Sequence, residues 1–252
     1  MPKPGPEPKA TPREQLAACL DALAAHLQSE KENGAVSVAA TPAIVTALKD
    51  PLPPPPPAKP APPASLRAVA DRTKTCTACG LHRTRKQAVP GQGHPRPEIL
   101  FVGEGPGAEE DEQGLAFVGA AGQLLTKMIA AMGYSRDEVF IANIVKCRPP
   151  NNRVPDPAEA AACIHFLEEQ IALLKPKVIV TLGGTALKHL LGPETASITR
   201  MRGHWLSYRG VDVMPTFHPS YLLRTPEAKK EAWADLKAVL AKLGRTPPPV
   251  KK

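Results

Sequence analysis

Residues 99–125 read ILFVGEGPGAEEDEQGLAFVGAAGQLL, and this stretch decides the fold. Ile99-Leu100-Phe101-Val102 is a short apolar run of strand character that opens into a glycine-rich loop, after which a helix-like pattern begins. Gly103, Gly105 and Gly107, with Pro106, make a loop whose backbone can approach a ligand closely, because no Cβ intervenes. Carboxylates, Glu104, Glu109, Glu110 and Asp111 among them, then precede an isolated aromatic, Phe117. That much negative charge argues against a cradle for a free phosphate.

Outward from this stretch, strand and helix patterns alternate. Strand-like runs are Glu98–Val102, Val139–Val145, Val178–Leu182 and Val211–Thr216. Helix-like runs are Ala120–Met132, Pro157–Leu174, Thr185–Leu191 and Pro226–Lys242. Asp156-Pro157-Ala158-Glu159 is a helix start, with a capping Asp, Pro at the first helical position and Glu at the third. Thr225-Pro226 repeats the signal. The strands are nearly unbroken apolar runs, as expected when both faces of a sheet are covered. The pattern predicts an α/β protein, a three-layer α/β/α sandwich around a central, mainly parallel four-stranded sheet. Ligands bind outside the carboxyl ends of such strands. The Gly103 loop, the segment after Val145 and the segment after Phe217 all lie at strand ends and are expected to converge.

The chain has 252 residues and a formal net charge of +8. Residues 1–65 hold six Lys/Arg and six Asp/Glu, so the whole excess lies in residues 66–252. A basic folded domain points to a polyanion, with nucleic acid the usual one. No apolar run approaches the roughly 20 residues of a membrane span, and the N-terminus lacks the apolar core of a signal peptide. A cytoplasmic, DNA-associated location is therefore expected, with no membrane partner. Fifteen of the 31 prolines precede residue 66, seven of them in Pro51–Pro60. Residues 1–65 read as a disordered Pro/Ala-rich extension with a polyproline spacer. Leu16, Leu20, Leu23 and Leu27 form one helical stripe there, a place where a repair or replication protein could dock. The folded domain is expected over 66–242, as a monomer, with 243–252 a basic, Pro-rich tail.

Five cysteines in such a chain point to a metal site or a reactive thiol rather than a disulfide framework. Cys76-x2-Cys79 is one close pair, while Cys147 follows a strand end and Cys163 lies about two turns into the next helix. One shared site is sterically reasonable, and four thiolates suit zinc or an iron–sulfur cluster. Zinc sites usually take two close pairs, and only one is present, which favours the cluster. Cys19 lies outside the set and reads as a small apolar residue.

Three segments together resemble the main motifs of family 4 uracil-DNA glycosylases, the bacterial and archaeal enzymes that carry a 4Fe–4S cluster. They are GEGPG…GLAFVGAAGQLL, Ile141-Ala142-Asn143-Ile144-Val145-Lys146-Cys147-Arg148-Pro149-Pro150, and Phe217-His218-Pro219-Ser220-Tyr221-Leu222-Leu223-Arg224. The cysteine order matches as well, and the resemblance covers roughly residues 66–242. It implies a base-excision enzyme that flips uracil out of single- or double-stranded DNA and hydrolyses its N-glycosidic bond. Cys76, Cys79, Cys147 and Cys163 are the implied ligands of a structural cluster.

The resemblance assigns roles residue by residue. Phe117 is expected to stack on the extruded base, and Gly105 to line the base site with it. The Asn143 amide matches uracil N3–H and O4, provided that neighbours hold it in one orientation. His218, placed on a loop, is expected to donate to O2 as the uracil anion departs, a task for a neutral imidazole. Glu110 is expected to orient the attacking water with Glu104 in support, while Glu109, Asp111 and Glu112 read as solvated. Family 1 glycosylases carry an aspartate where this chain has Gly105. Leu222, Leu223 and Arg224 are expected as a wedge that fills the vacated stack, with Asn152, Arg153, Arg202 and Ser220 on the phosphates.

Two other readings compete. A covalently DNA-linking branch of the same superfamily carries a basic KRRIH insertion that is absent after Cys147. A non-catalytic, metal-bearing nucleic-acid-binding module would have no use for Phe117, Asn143 and His218 together. A nucleotide- or dinucleotide-binding protein would use the glycine loop after a strand, but GxGxG lacks the GxGxxG spacing and opens no helix directly.

Overall fold

A computed structural model describes residues 65–195 and 197–249. The expected N-terminal extension, with its leucine stripe and polyproline spacer, lies outside the described residues.

The chain enters through helix α1 (Leu66–Thr75), capped by the Ser65 hydroxyl, which accepts the Ala68 N–H. Edge strand β1 (Gln92–Gly93) follows, then β2 (Ile99–Gly103), α2 (Ala108–Gln113), α3 (Ala120–Ala131) and β3 (Phe140–Asn143). The second half holds α4 (Pro157–Leu174), β4 (Val178–Leu182), α5 (Gly184–Leu191), α6 (Ile198–Met201), β5 (Leu206–Tyr208) and β6 (Val211–Thr216). It closes with α7 (Pro219–Arg224), a 3-10 turn at Pro226–Ala228, and α8 (Lys229–Lys242).

One sheet of six strands runs in the order β1-β3-β2-β4-β6-β5. Its central four, β3-β2-β4-β6, are parallel, and the two edges are antiparallel. The expectation of four strands is thus corrected to six. β1 has two residues, Gln92 and Gly93, and β5 is only half buried. Neither carries the apolar run that marks a strand in sequence. Both are short edges, where little side-chain burial is needed and exposed pairing is kept brief.

The unbroken apolar runs feed two cores. From β2, Leu100 and Val102 pack with Val69 of α1, Phe166 and Leu167 of α4, and Ala186 and Leu190 of α5. Ile99 and Phe101 point to the opposite face, against Leu125 and Ile129 of α3 and Leu236, Val239 and Leu240 of α8. Successive strand side chains alternate faces, so the four central strands carry apolar residues facing both layers. Helix α4 begins at Pro157 as the capping signal predicts, and Glu159 Oε2 accepts the Asp156 N–H at 2.8 Å. The expected strand 139–145 shortens to Phe140–Asn143; Ile144 and Val145 leave β3 and donate their N–H groups to the Gly103 and Glu104 carbonyls.

From β2 the chain crosses to β3 on one side and returns to β4 on the other. A crevice opens at such a reversal of strand order, beyond the carboxyl ends. The functional residues gather there.

Candidate active site

A cleft of about 560 Å³ opens at the carboxyl ends of β2, β3, β4 and β6. Glu104, Gly105, Glu110, Phe117, Asn143, Asn152, Arg153, His218, Ser220 and Arg224 all line it. Three segments far apart in sequence therefore meet in one place, as the strand-end argument requires.

Phe117 is held in an unusual backbone conformation, with φ +53°. A non-glycine residue there persists only where its surroundings over-determine it, at roughly 1–3 kcal/mol of strain. Several bonds supply that constraint. The Ala116 carbonyl accepts from Arg136 Nη2 at 2.7 Å, and the Ala116 N–H donates to Gln92 Oε1 at 3.3 Å. On the other side, the Val118 and Gly119 N–H groups donate to Glu110 Oε1 at 2.8 and 2.9 Å. The turned ring lies against Gly103 at the end of β2, where a Cβ would stand 2.5 Å from Phe117 Cζ and 2.4 Å from Asn143 Oδ1.

Asn143 ends β3, directly across the ladder from Gly103. It is buried, and its Oδ1 has no hydrogen-bond donor among the described residues. An acceptor left unpaired in the interior costs about 1–3 kcal/mol. A ligand donor reaching this oxygen would recover that energy.

His218 ends the loop after β6, as expected, and there forms the N-cap of α7. Its Nδ1 accepts the Ser220 N–H at 3.1 Å and lies 2.7 Å from Ser220 Oγ. An N–H aimed at Nδ1 makes that nitrogen the acceptor, which assigns the imidazole proton to Nε2. Burial and, next, the Arg224 guanidinium pull this imidazole down to about 4, with Glu110 opposing. It is neutral at physiological pH and carries one N–H donor. Its ring centroid is 5.7 Å from that of Phe117.

The carboxylates divide differently from the sequence expectation. Glu110 is consumed by structure: besides Val118 and Gly119, its Oε2 accepts the Gly107 N–H at 3.0 Å. Glu104 lines the cleft, half-buried, and its carboxylate makes no hydrogen bond among the described residues. Asp111, expected to be solvated, is buried and accepts the Lys86 and Gln87 N–H groups at 2.9 and 3.4 Å. Gly105 faces Val145, whose Cγ2 would lie 2.7 Å from an added Cβ. The cleft wall leaves no room for a side chain there without a shift.

The expected DNA contacts are also redistributed. Leu222 is buried in an apolar cluster with Phe217, Ala228 and Ala232, so it is core and not wedge. Neighbouring helical residues point about 100° apart, and here Tyr221 (37% exposed) and Leu223 (44%) face outward instead. Arg202 is not free for a phosphate. It is paired with Asp235 at 2.6 Å, its guanidinium lies 5.3 Å from the Phe217 ring centroid, and Asp235 also accepts from Thr216 Oγ1 at 2.7 Å. Arg153 is engaged by Glu159 and Asp156, and Asn152 Oδ1 by Arg148 Nε. Arg224 remains at the mouth of the cleft.

Tyr221, Gly184, Thr185, Ile198 and Thr199 line the cleft without having been singled out in sequence. Tyr221 stands inside the quoted motif, and Gly184 and Thr185 follow a strand end, which is the signal that could have found them.

A second, much smaller cavity is lined by all four expected cysteines. Cys76 caps α1, Cys79 precedes a 3-10 turn at Gly80–Arg83, Cys147 follows β3, and Cys163 sits in α4. N–H donors converge on the sulfurs: Arg85 Nη1 on Cys147 at 3.0 Å, the Lys146 amide on Cys163 at 3.3 Å, and the Ala78 amide on Cys76 at 3.5 Å. Burial pushes the Cys163 thiol up to about 12 and raises Cys147 as well. Donors aimed at sulfur in so dry a place fit thiolates whose charge is shared with a metal, so the donor set is compatible with a metal centre. Among the described residues no three His, Cys, Asp or Glu side chains close on one ion.

The family model of the uracil DNA glycosylase superfamily matches residues 90–237. A type-4 uracil-DNA glycosylase of Thermotoga maritima is 53% identical over 162 residues, covering 63% of this chain and 83% of the relative. Those of Sulfurisphaera tokodaii and Archaeoglobus fulgidus are 45% identical over 183 residues and 39% over 191. They cover 69% and 73% of this chain, and 83% and 96% of the relatives.

Proposed function

The chain belongs to the uracil DNA glycosylase superfamily, among its type-4 members, and from that membership and the cleft geometry we propose that it excises uracil from DNA by hydrolysing the N-glycosidic bond. The observation that carries the reading is the meeting of three groups in one cleft: the Phe117 ring, the unpaired Asn143 Oδ1, and a neutral His218 with its proton on Nε2.

A base inside a duplex must be extruded before its glycosidic bond can be reached. Phe117 offers a face for it to stack on. Asn143 Oδ1 accepts uracil N3–H, and the amide NH2 donates to O4. Cytosine presents an acceptor at N3, which leaves Oδ1 unpaired and disfavours that base. The His218 Nε2–H donates to O2, where negative charge gathers as the bond breaks. A donor that tightens on developing charge lowers the barrier more than it aids ground-state binding. The sugar meanwhile gains oxocarbenium character, and a carboxylate can stabilise it and orient water. Glu104 takes that role here, because Glu110 is occupied with the loop that carries Phe117. Leu223, Tyr221 and Arg224 on α7 meet the DNA at the rim.

Cys76, Cys79, Cys147 and Cys163 would hold a 4Fe–4S cluster in this reading. Four cysteines lining one cavity, only two of them a close pair in sequence, suit such a cluster better than a single zinc. Bound there, such a cluster would staple the segment after α1, the end of β3 and α4 together.

A uracil-containing oligonucleotide incubated with the protein is expected to release free uracil and leave an alkali-labile strand. Asn143→Ala is expected to slow release about 100-fold or more, because two hydrogen bonds to the base are lost. An intact strand from folded, iron-replete protein, or a strand that stays attached to protein after denaturation, would overturn the assignment.

A further inference from the structure

One fully enclosed lysine has no part in the chemistry above. Lys146 lies three residues after Asn143, and its side chain is among the largest fully buried ones in the protein. Its Nζ donates to the Asn143 carbonyl at 2.9 Å and to Gln170 Oε1 at 2.7 Å. Gln170 passes the connection on, donating from Nε2 to the Pro90 carbonyl at 2.7 Å. The Lys146 backbone faces the other way: its N–H donates to Cys163 Sγ, and the residue lines the cysteine cavity.

Both acceptors of Lys146 Nζ are neutral, and no carboxylate pairs with it among the described residues. A buried cation without an anion is strongly unfavourable, and a methionine would fill the same shape without that penalty. The missing negative charge is next door, in the cavity that four cysteine sulfurs line. Four thiolates on a 4Fe–4S core carry net negative charge.

Resting on the cluster reading, we infer that Lys146 is a positioning residue serving both sites at once: its charge balances the thiolate-bound cluster, and its Nζ–H bonds fix the peptide that presents the Asn143 amide to uracil. The cluster lobe and the base-reading strand end are thereby joined through one side chain. This gives the cluster a bearing on excision without any redox step.

The test compares wild type with Lys146→Met by iron content, by reduction potential as a reporter of local charge, and by single-turnover uracil excision. Removal of a positive charge beside the cluster shifts its potential to more negative values. Excision at saturating protein is expected to fall roughly tenfold or more, equivalent to about 1.4 kcal/mol of transition-state stabilisation, with a smaller change in DNA affinity. Iron-replete Lys146→Met with the wild-type potential and rate would overturn the inference. Should that variant fail to fold, Gln170→Leu keeps the charge and breaks the relay from α4. It is expected to slow excision several-fold at an unchanged potential, and a wild-type rate would again overturn the inference. Wild-type protein that excises uracil but binds no iron would refute the cluster reading itself, a distinct outcome.

Discussion

Substituting Gly103 by alanine tests the base site at its tightest point. Gly103 is not in a left-handed conformation, so the effect is steric and not one of backbone freedom. An added Cβ would lie 2.4 Å from Asn143 Oδ1 and 2.5 and 2.7 Å from Phe117 Cζ and Cε2, where ordinary contact begins at 3.4 Å. The ring and the amide must each retreat by about 1 Å. The ring has little room to do so, since the backbone on either side of it, at Ala116 and at Val118 and Gly119, is bound by Arg136, Gln92 and Glu110. Overpacking of this kind costs about 1–3 kcal/mol of stability. A displacement of about 1 Å in a positioning group slows the reaction on the order of 100-fold. Single-turnover excision from a uracil-containing duplex, with urea denaturation alongside, reads both numbers. Phe117→Ala removes the ring and its stacking, and in the double variant only the Asn143 clash is left. The two substitutions are therefore expected to be less than additive in rate. Wild-type excision by Gly103→Ala would refute the reasoning, because it would mean that neither the ring nor the amide must stand where the structure has it.

His218→Ala is expected to reduce excision by about 100- to 1000-fold, the usual effect of losing one donor to a developing anion. With its imidazole pulled down from 6.5 to about 4, His218 stays neutral from pH 8 to pH 5.5, so the rate should show no titration from this residue in that range and should fall only as pH approaches 4; a rate that rises as pH drops through 6.5 would point to a cationic histidine instead. The same group titrates at a lower pH folded than unfolded, so its contribution to stability is complete above pH 6.5 and is lost as pH falls toward 4. Denaturation of wild type and His218→Ala across that window should differ in slope. Glu110→Gln, which turns an NH2 group toward backbone donors, is expected to cost about 1–3 kcal/mol of stability. Glu104→Gln should leave stability within about 0.5 kcal/mol while slowing excision on the order of 100-fold; equal stability losses in the two variants would contradict the division of roles.

What the sequence determined by itself is what local chemistry encodes. The unbroken apolar runs mark the four central strands because a strand covered on both faces admits no polar alternation. Asp156-Pro157 sets the start of α4 because a capping carboxylate and a fixed φ act within one turn. The motif residues Phe117, Asn143 and His218 share a site because strand ends of a parallel sheet must lie together. Tertiary structure decided everything that depends on a distant partner. The edges β1 and β5 exist only because a neighbouring strand offers hydrogen bonds, not because their own residues demand burial. Leu222 and Leu223 are the same residue type side by side, and only the packing of α7 on α8 and its preceding turn buries one and exposes the other. Arg202 loses its availability to Asp235, and Glu110 its freedom to three backbone amides, through contacts that no periodicity announces. Lys146 reads in sequence as one more basic residue near a cysteine; the fold encloses it, and enclosure is what turns an ordinary charge into one that requires a partner.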